Sequence, residues 1–299
     1  MFSSETQQQQ QEQPGFTRAY SEAAKKGTAQ IDDAKAGVKF DHAKNIIVDP
    51  TKPFRERVAS NIATKLQGSE SKKCLDVGCS IGGDLTLLKN ALQGQKGFEL
   101  NGVDLLGAQL VKARESLPEG NFVEGNVTAL PFKDEEMDSV QCSRLLIHIP
   151  DMSKAVDEML RVLRPGGCGV FAEGNFHGNV IFTSDARLKS IDLAKNTHTI
   201  SMCANPGAAM DVYKLLIARS DVENVKIEPF NMLLSDPTFG MGLDYSKPML
   251  EALVAKKAIT QEDMNYYFET LPKAQKAGDF FISSSMFEVS FDKIKQNKL

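Results

Sequence analysis

The sequence contains no apolar run long enough to cross a membrane. No stretch of 18 consecutive apolar residues occurs among its 299 residues, whereas a membrane-spanning helix needs roughly 20 predominantly apolar residues. The opening segment, MFSSETQQQQ, also lacks the apolar core of a signal peptide. We therefore expect a cytoplasmic protein without a membrane span.

Cysteines are few, and their spacing fits neither a metal site nor a disulfide framework. The five cysteines, Cys74, Cys79, Cys142, Cys168 and Cys203, are odd in number, and none lies in a C-x-x-C pair. We expect them to be reduced, buried thiols, and we predict no bound metal.

An excess of basic charge is absent as well. The formal net charge is −4, and a nucleic-acid backbone binds basic surfaces, so we expect no nucleic-acid partner. The hydrophobic content of 41% and the charged content of 25% are typical of a globular protein.

The composition divides the chain into a tail and one folded domain. Residues 1–15 are polar and contain an unbroken glutamine run, which predicts a disordered tail. We interpret residues 16–299 as one domain with a core at about residues 53–175. A helical cap and late strands are expected at about residues 176–299.

Apolar strands alternate with helical segments in the core. The predicted strands are Lys73–Val77, Phe98–Asp104, Asn121–Gly125, Met137–Ser143 and Gly167–Glu173, and the helices between them are Asp84–Leu92, Gly107–Ser116 and Ser153–Leu163. This alternation predicts an α/β fold with a parallel sheet covered on both faces. A helix beginning at Pro53 precedes it. Two late strands, Val225–Met232 and Phe280–Ser290, are separated by helices that we expect to form a lid over the ligand crevice.

A glycine-rich turn follows the first strand. Gly78 and Gly82 lie in the segment KCLDVGCSIGG, where glycine permits a tight turn and a close approach of backbone to ligand. The helix that follows presents free N–H groups. The alternative is a sharp strand–helix turn that binds nothing.

An acidic residue ends the second strand. A carboxylate at Asp104 can accept two hydrogen bonds from the hydroxyls of a ribose, although a solvated strand-end aspartate is the simpler alternative. An NAD-dependent oxidoreductase would share this strand, turn and acid. Gly78 and Gly82 do not fit its G-x-G-x-x-G fingerprint.

Five segments in order resemble one enzyme family. LDVGCSIGG, NGVD, EGNVTALPF, MDSV and RVLRPGG are similar to the motifs of class I S-adenosylmethionine-dependent methyltransferases, in particular the small-molecule type that includes the ubiquinone/menaquinone-biosynthesis enzymes. The resemblance is strong over about residues 53–173. It implies a Rossmann-like, seven-stranded, mostly parallel sheet whose last strand is antiparallel, with S-adenosyl-L-methionine as cofactor.

The resemblance also implies roles for eleven residues around the cofactor. Seven of them are expected around the methionine part of the cofactor: Asp76, Gly78, Cys79, Ser80 and Gly82, with Ser143 and Arg144 facing the same end. The other four are expected at the nucleoside: Asp104 on the ribose, Leu105 on the adenine face, and Asn126 and Val127 at the adenine amino group. Two positions depart from the family pattern: Ser80 replaces a glycine, and Asn126 replaces an aspartate. The amide oxygen of Asn126 can still accept a hydrogen bond.

Methyl transfer by in-line displacement needs mainly alignment, and a general base only where the acceptor must lose a proton. His148, just past the fourth strand, and His177, beyond the fifth, are the candidate bases, although a structural role before Pro150 is the favoured interpretation of His148. Tyr20 is a candidate to close the cofactor site. We predict a small-molecule acceptor. Methylation of RNA or protein, an oxidoreductase, and a non-catalytic binding protein remain the alternatives.

Overall fold

The computed structural model describes residues 51–68, 72–234 and 243–295. The glutamine-rich tail predicted at residues 1–15 and the candidate Tyr20 lie outside these ranges. Within the ranges, strands and helices alternate along most of the chain.

Eight strands in the described part of the chain form one sheet. They are β1 (Lys72–Val77), β2 (Phe98–Asp104), β3 (Asn121–Glu124), β4 (Met137–Ser143), β5 (Leu163–Gly174), β6 (Val180–Thr183), β7 (Val222–Leu234) and β8 (Phe280–Lys293). The strand order is β3-β2-β1-β4-β5-β8-β6, and β7 also pairs with β8.

Strands β1 to β5 are parallel neighbours, whereas β8 runs antiparallel to both β5 and β7. The predicted Rossmann-like, mostly parallel sheet with an antiparallel last strand is therefore confirmed.

The sheet has one strand more than the seven expected. The additional β6 has four residues and pairs with the start of β8, which extends beyond the end of β5. Its sequence, VIFT, is a short apolar run that periodicity alone does not distinguish from a helix, and the sequence predicted only helices and loops there.

Eight helices in the described ranges surround the sheet. They are α1 (Lys52–Lys65), α2 (Gly83–Ala91), α3 (Gly107–Ser116), α4 (Met152–Val162), α5 (Ala186–Met202), α6 (Ala208–Ile217), α7 (Leu243–Ala255) and α8 (Gln261–Lys276). Helices α1, α2 and α3 contribute to one apolar core, and α4 and α6 contribute to another. The two cores bury the two faces of the sheet, as predicted.

The remaining helices form a cap with its own core. Leu188 of α5, Leu250 of α7 and Tyr267 of α8 pack with Ile181 of β6 and Phe280 of β8. Because β6 and the start of β8 lie beyond Gly174, the last residue of β5, the cap stands at the carboxyl end of the parallel strands.

The structure also describes the cysteines, the apolar length of the helices and the grouping of potential metal ligands. All five cysteines are buried free thiols, which confirms their prediction. None of the helices described is long and apolar enough to cross a membrane. In the same ranges, no cluster of three or more histidine, cysteine or acidic side chains could hold a metal ion.

Candidate active site

The candidate site lies where the strand order reverses. The chain runs outward from β1 to β3 on one side and from β4 to β5 on the other, and such a switch point leaves a crevice at the carboxyl ends of the strands. The glycine-rich turn after β1, Asp104 at the end of β2 and the segment after β4 all border this crevice.

The turn after β1 depends on glycine at two positions. Gly78 and Gly82 have φ angles of +74° and +79°, in the left-handed region that favours glycine. A Cβ at Gly78 would also come within 2.9 Å of the Leu145 side chain. The backbone N–H groups of Gly78 and Cys79 donate to the Val103 carbonyl, which joins the turn to β2.

Ser80 replaces the middle glycine of the family pattern and keeps a left-handed backbone, with φ of +48°. Non-glycine residues adopt this conformation at a cost. The N–H of Ser80 donates to Asp104 Oδ2 at 2.8 Å. A charge-assisted bond of this kind offsets part of the strain.

Asp104 anchors its own loop as well as facing the crevice. Its Oδ1 accepts from the N–H of Leu106 at 2.9 Å, beside the bond from Ser80 to Oδ2. Burial raises the pKa of this carboxyl, and the backbone amides around it oppose the rise. Each oxygen retains a second lone pair, which is what two ribose hydroxyls require. Leu105 follows directly and is partly buried.

Asp76 and Ser143 bring unpaired polar atoms to the crevice. Asp76 is 2% exposed, and its Oδ2 and Ser143 Oγ are buried without a hydrogen-bond partner in the described part of the chain. Burial, followed by the nearby Asp84 carboxylate, raises the pKa of Asp76 well above its usual value, while Arg55 opposes the shift. Buried acceptors without donors fit a ligand that brings an ammonium group. The residues present therefore suit the methionine end of S-adenosylmethionine.

Helix α1 covers this part of the crevice. Arg55 in its first turn pairs with Asp84 and lies against Gly83. The cavity left beneath it is about 10 Å³ and is lined by Arg55, Val58, Ala59, Asp84, Gln141, Cys142, Ser143 and Ala172. Such a volume holds about one water molecule.

Asn126 and Val127, predicted at the edge of the adenine, lie in the segment after β3. Asn126 is exposed, and its Oδ1 accepts from the N–H of Thr128 at 2.9 Å and from its hydroxyl at 3.0 Å. The amide oxygen expected to meet the adenine amino group is thus engaged within its own turn. Val127 is buried in the core. The adenine contact stays a prediction.

The two candidate bases lie in short 3₁₀ turns after neighbouring strands. His148 ends the turn after β4, and His177 is exposed in the turn after β5. Burial, with a smaller contribution from Arg144, lowers the pKa of His148 to about 4. The imidazole is therefore neutral at pH 7, and so low a pKa makes it a weak base. Arg144 itself is exposed and has a left-handed φ of +54°.

Two residues of this region were not predicted. Arg55 lies on α1, in no local motif, and reaches the site only through tertiary packing. Glu173 ends the predicted fifth strand, as Asp104 ends the second. A charged residue at the carboxyl end of a parallel strand was the signal that could have identified it.

A larger cavity, of about 350 Å³, lies away from this crevice, near the amino ends of β4 and β5. Its charged side chains are largely paired with the protein itself: Lys65 with Asp292, and Lys293 with the carbonyls of Leu160 and Leu163. The cofactor is expected in the crevice that contains the smaller space, because that crevice lies at the carboxyl ends of the parallel strands and Ser143 Oγ is buried there without a partner.

The chain is similar to known methyltransferases over its parallel strands. Residues 75–171 match the family model of the methyltransferase domain. Methyltransferase GfsG of Streptomyces halstedii is 32% identical over 126 residues, covering 40% of this chain and 44% of that protein. Demethylmenaquinone methyltransferase of Staphylococcus aureus (strain MRSA252) is 34% identical over 139 residues, covering 45% and 55%. The chain thus matches about half the length of these curated relatives.

Solved structures share the fold over a longer range. The YcgJ protein of Bacillus subtilis aligns with a TM-score of 0.52 and 14% identity, covering 81% of this chain and 99% of that one. A protein of Bacillus halodurans C-125 aligns with a TM-score of 0.51 and 16% identity, covering 79% and 99%. At such identities the likeness concerns the fold alone. Residues 75–171 thus resemble a methyltransferase domain, and the chain shares the fold of these solved structures.

Proposed function

We propose that this protein transfers the methyl group of S-adenosyl-L-methionine to a small-molecule acceptor. The observation that carries the proposal is the pair of carboxyl groups on adjacent strands, Asp76 on β1 and Asp104 at the end of β2. Asp76 has a buried oxygen without a donor, and Asp104 keeps lone pairs at the crevice. An ammonium group and a ribose diol are the two features of the cofactor that such a pair would recognise.

The remaining cofactor contacts follow from this placement. Gly78, Cys79, Ser80 and Gly82 would present backbone to the methionine part, and Ser143 and Arg144 would close its far end. Leu105 would pack on the adenine, with Asn126 and Val127 at its edge. The tight turn at Gly78 and the unpaired Ser143 Oγ support this arrangement.

Methyl transfer requires mainly that the protein orient the cofactor and the acceptor. When bound, S-adenosylmethionine supplies a methyl group that its sulfonium already activates. The chain's own residues would hold the cofactor, align an acceptor in line with the methyl group and exclude water. The first turn of α1 covers the crevice and suits the exclusion of water. His148 and His177 are the candidate bases for an acceptor that must lose a proton.

The same proposal gives the core and the cap different roles. The core, about residues 53–175, would bind the cofactor, and the cap and late strands, about residues 176–299, would shape the acceptor side. The separate apolar cluster of the cap helices supports this division. The name of the demethylmenaquinone methyltransferase relative and the net charge of −4 favour a small molecule over nucleic acid as acceptor.

The proposal is tested by following the methyl group. The purified protein is incubated with methyl-labelled S-adenosylmethionine and a metabolite extract, and the low-molecular-weight products are separated. We expect one labelled metabolite, which is lost in Asp76→Asn and retained in Glu262→Gln, a control at a side chain that is 82% exposed on α8. Label recovered only in RNA or protein would contradict a small-molecule acceptor.

A further inference from the structure

A buried carboxyl group that the proposed cofactor contacts do not use lies at the end of β5. Glu173 is 0% exposed. Its Oε1 accepts from the N–H of Leu145 at 2.9 Å and from the N–H of Leu146 at 2.8 Å. Its Oε2 is buried and has no hydrogen-bond partner in the described ranges. An ionisable group buried in this way costs free energy, so its retention calls for a role.

The two amides that Glu173 holds follow a strained residue. Arg144 adopts a left-handed φ of +54°, and its N–H donates to the Ala172 carbonyl at 2.9 Å. A non-glycine residue in this region persists only where its surroundings fix it. The bonds to Ala172 and Glu173 fix the chain at three successive amides, so it turns sharply as it leaves β4.

This turn determines where Leu145 lies. The Leu145 side chain packs so close to the glycine turn that a Cβ at Gly78 would meet its Cδ1 at 2.9 Å. On the far side, Asn205 Nδ2 donates to the carbonyls of Leu146 and Ile149 at 2.9 and 2.6 Å. The 144–148 segment is thus held between Glu173 and Asn205, and Leu145 packs against the turn that would bind the cofactor.

We propose that Glu173 is a positioning residue of the methyltransferase site, whose carboxylate holds the 144–148 segment against the glycine turn and thereby sets the affinity for the cofactor. This inference rests on the proposed function. Glu173 acts through Leu145 and Leu146 and is not proposed to touch the cofactor.

The proposal predicts a pH dependence of cofactor binding. Burial raises the pKa of Glu173 to about 7, although the backbone amides favour the ionised form. An ionised carboxylate accepts N–H bonds more strongly than a protonated one, so the segment should be held best above pH 7. Affinity should therefore rise as the pH increases from 6 to 8.

Other charged or titratable groups face Glu173 or lie close to it. Burial raises the pKa of the Cys142 thiol on β4 and of the Cys203 thiol after α5, away from this window, and that of His148 is lowered to about 4. Arg144 is the positively charged neighbour of Glu173. Asp76, on β1, has a raised pKa of its own. A variant at Glu173 is therefore needed to separate its titration from that of Asp76.

The test combines cofactor binding with local protection. The affinity for S-adenosylhomocysteine is measured by calorimetry between pH 5.5 and 8.5 for the wild type, Glu173→Gln, Glu173→Ala and the control Glu262→Gln. Hydrogen exchange of residues 144–148 is followed without ligand. We expect affinity in the wild type and control to increase on the order of tenfold from pH 6 to 8. In Glu173→Gln this increase should be largely lost. At pH 8, Glu173→Ala should bind at least about tenfold more weakly, with faster exchange at 144–148.

The outcomes separate this inference from the proposed function. A wild type that binds no S-adenosylhomocysteine at any pH would overturn both. The positioning role alone would be overturned if the wild type binds and a cooperatively folded Glu173→Ala or Glu173→Gln behaves as it does. That means equal affinity, equal pH dependence of the affinity and equal hydrogen exchange of residues 144–148. Should Glu173→Ala fail to fold, the pH profile of Glu173→Gln decides the question.

Discussion

Asp104 combines the anchoring of its own loop with the proposed binding of the ribose. It accepts backbone N–H groups from Ser80 and Leu106, and it is proposed to hold the ribose hydroxyls. Asp104→Ala removes charge-assisted bonds worth roughly 1.5–3 kcal/mol each, so cofactor affinity should fall by on the order of 10–100-fold. Asp104→Asn keeps one carbonyl acceptor and should lose less. Calorimetry checks both variants, and unchanged affinity in Asp104→Ala would show that the ribose lies elsewhere.

Glu173 should make stability depend on pH. Because its pKa is raised from 4.5 to about 7, the folded state binds this proton more tightly than the unfolded state does. The stability that this provides is complete below about pH 4.5 and is lost as the pH rises through 7. Glu173→Gln does not titrate. Its free energy of unfolding relative to the wild type should therefore increase between pH 5 and 7, by at most about 3 kcal/mol.

Urea unfolding of the two proteins at pH 5, 6, 7 and 8 measures this difference. A difference that stays constant with pH would show that Glu173 titrates in the same range in the folded and unfolded states.

His148 is the residue where two roles compete. As a general base it would contribute roughly 10²–10⁴-fold to turnover, and His148→Ala would leave cofactor affinity unchanged. The lowered pKa of about 4 argues against that role at neutral pH. We expect His148→Ala to lower the melting temperature and to reduce turnover per folded molecule by less than about tenfold. A loss of 100-fold or more in a stable variant would restore the catalytic role.

Helix α1 is the element that links stability to cofactor binding. Phe54 is fully buried and packs in a tilted arrangement against Phe230 of β7, with ring centroids 5.2 Å apart. Further along α1, Glu288 of β8 accepts from Arg57 at 3.2 Å and from Asn61 at 2.7 Å. These contacts fasten α1 to the sheet beside the turn that covers the crevice.

Phe54→Ala should reduce the free energy of unfolding by roughly 3–5 kcal/mol, the usual cost of removing a buried phenylalanine. It should also weaken cofactor binding, because α1 borders the crevice. The matched control is Val111→Ala on α3, whose side chain is 54% exposed and whose loss should change stability by less than about 0.5 kcal/mol. Chemical denaturation compares the two. Equal stabilities would mean that α1 does not dock as described.

Strands and helices whose pattern lies within their own residues could be predicted from the sequence. The boundaries of β2, β4 and α3 agree with the prediction to the residue, because each lies in a regular alternation of strands and helices that the local sequence pattern reveals. Strand β6 was missed because its four residues gain their role only by pairing with the extended β8. Arg55 and the clamp of Glu173 and Asn205 were missed because they join residues distant in sequence, which no local pattern reveals.

At the scale of the whole molecule, the family match and the cap occupy different parts of the chain. The family match ends at residue 171, so it covers β1 to β5 and omits the cap. The cap has its own apolar core beside the carboxyl ends of those strands. Methyltransferases that share a cofactor site differ in what they methylate, and function is decided by the site rather than by the fold. We therefore expect the acceptor to be selected by the cap and by β7 and β8.

The most direct test of the cofactor site is equilibrium binding by the purified wild-type protein. Isothermal calorimetry with S-adenosylmethionine, S-adenosylhomocysteine and NADH compares the three candidate ligands under one set of conditions. We predict saturable, one-to-one binding of the first two, weakened in Asp104→Ala, and no binding of NADH. A folded sample that binds NADH but neither S-adenosyl compound would contradict the methyltransferase assignment of the crevice.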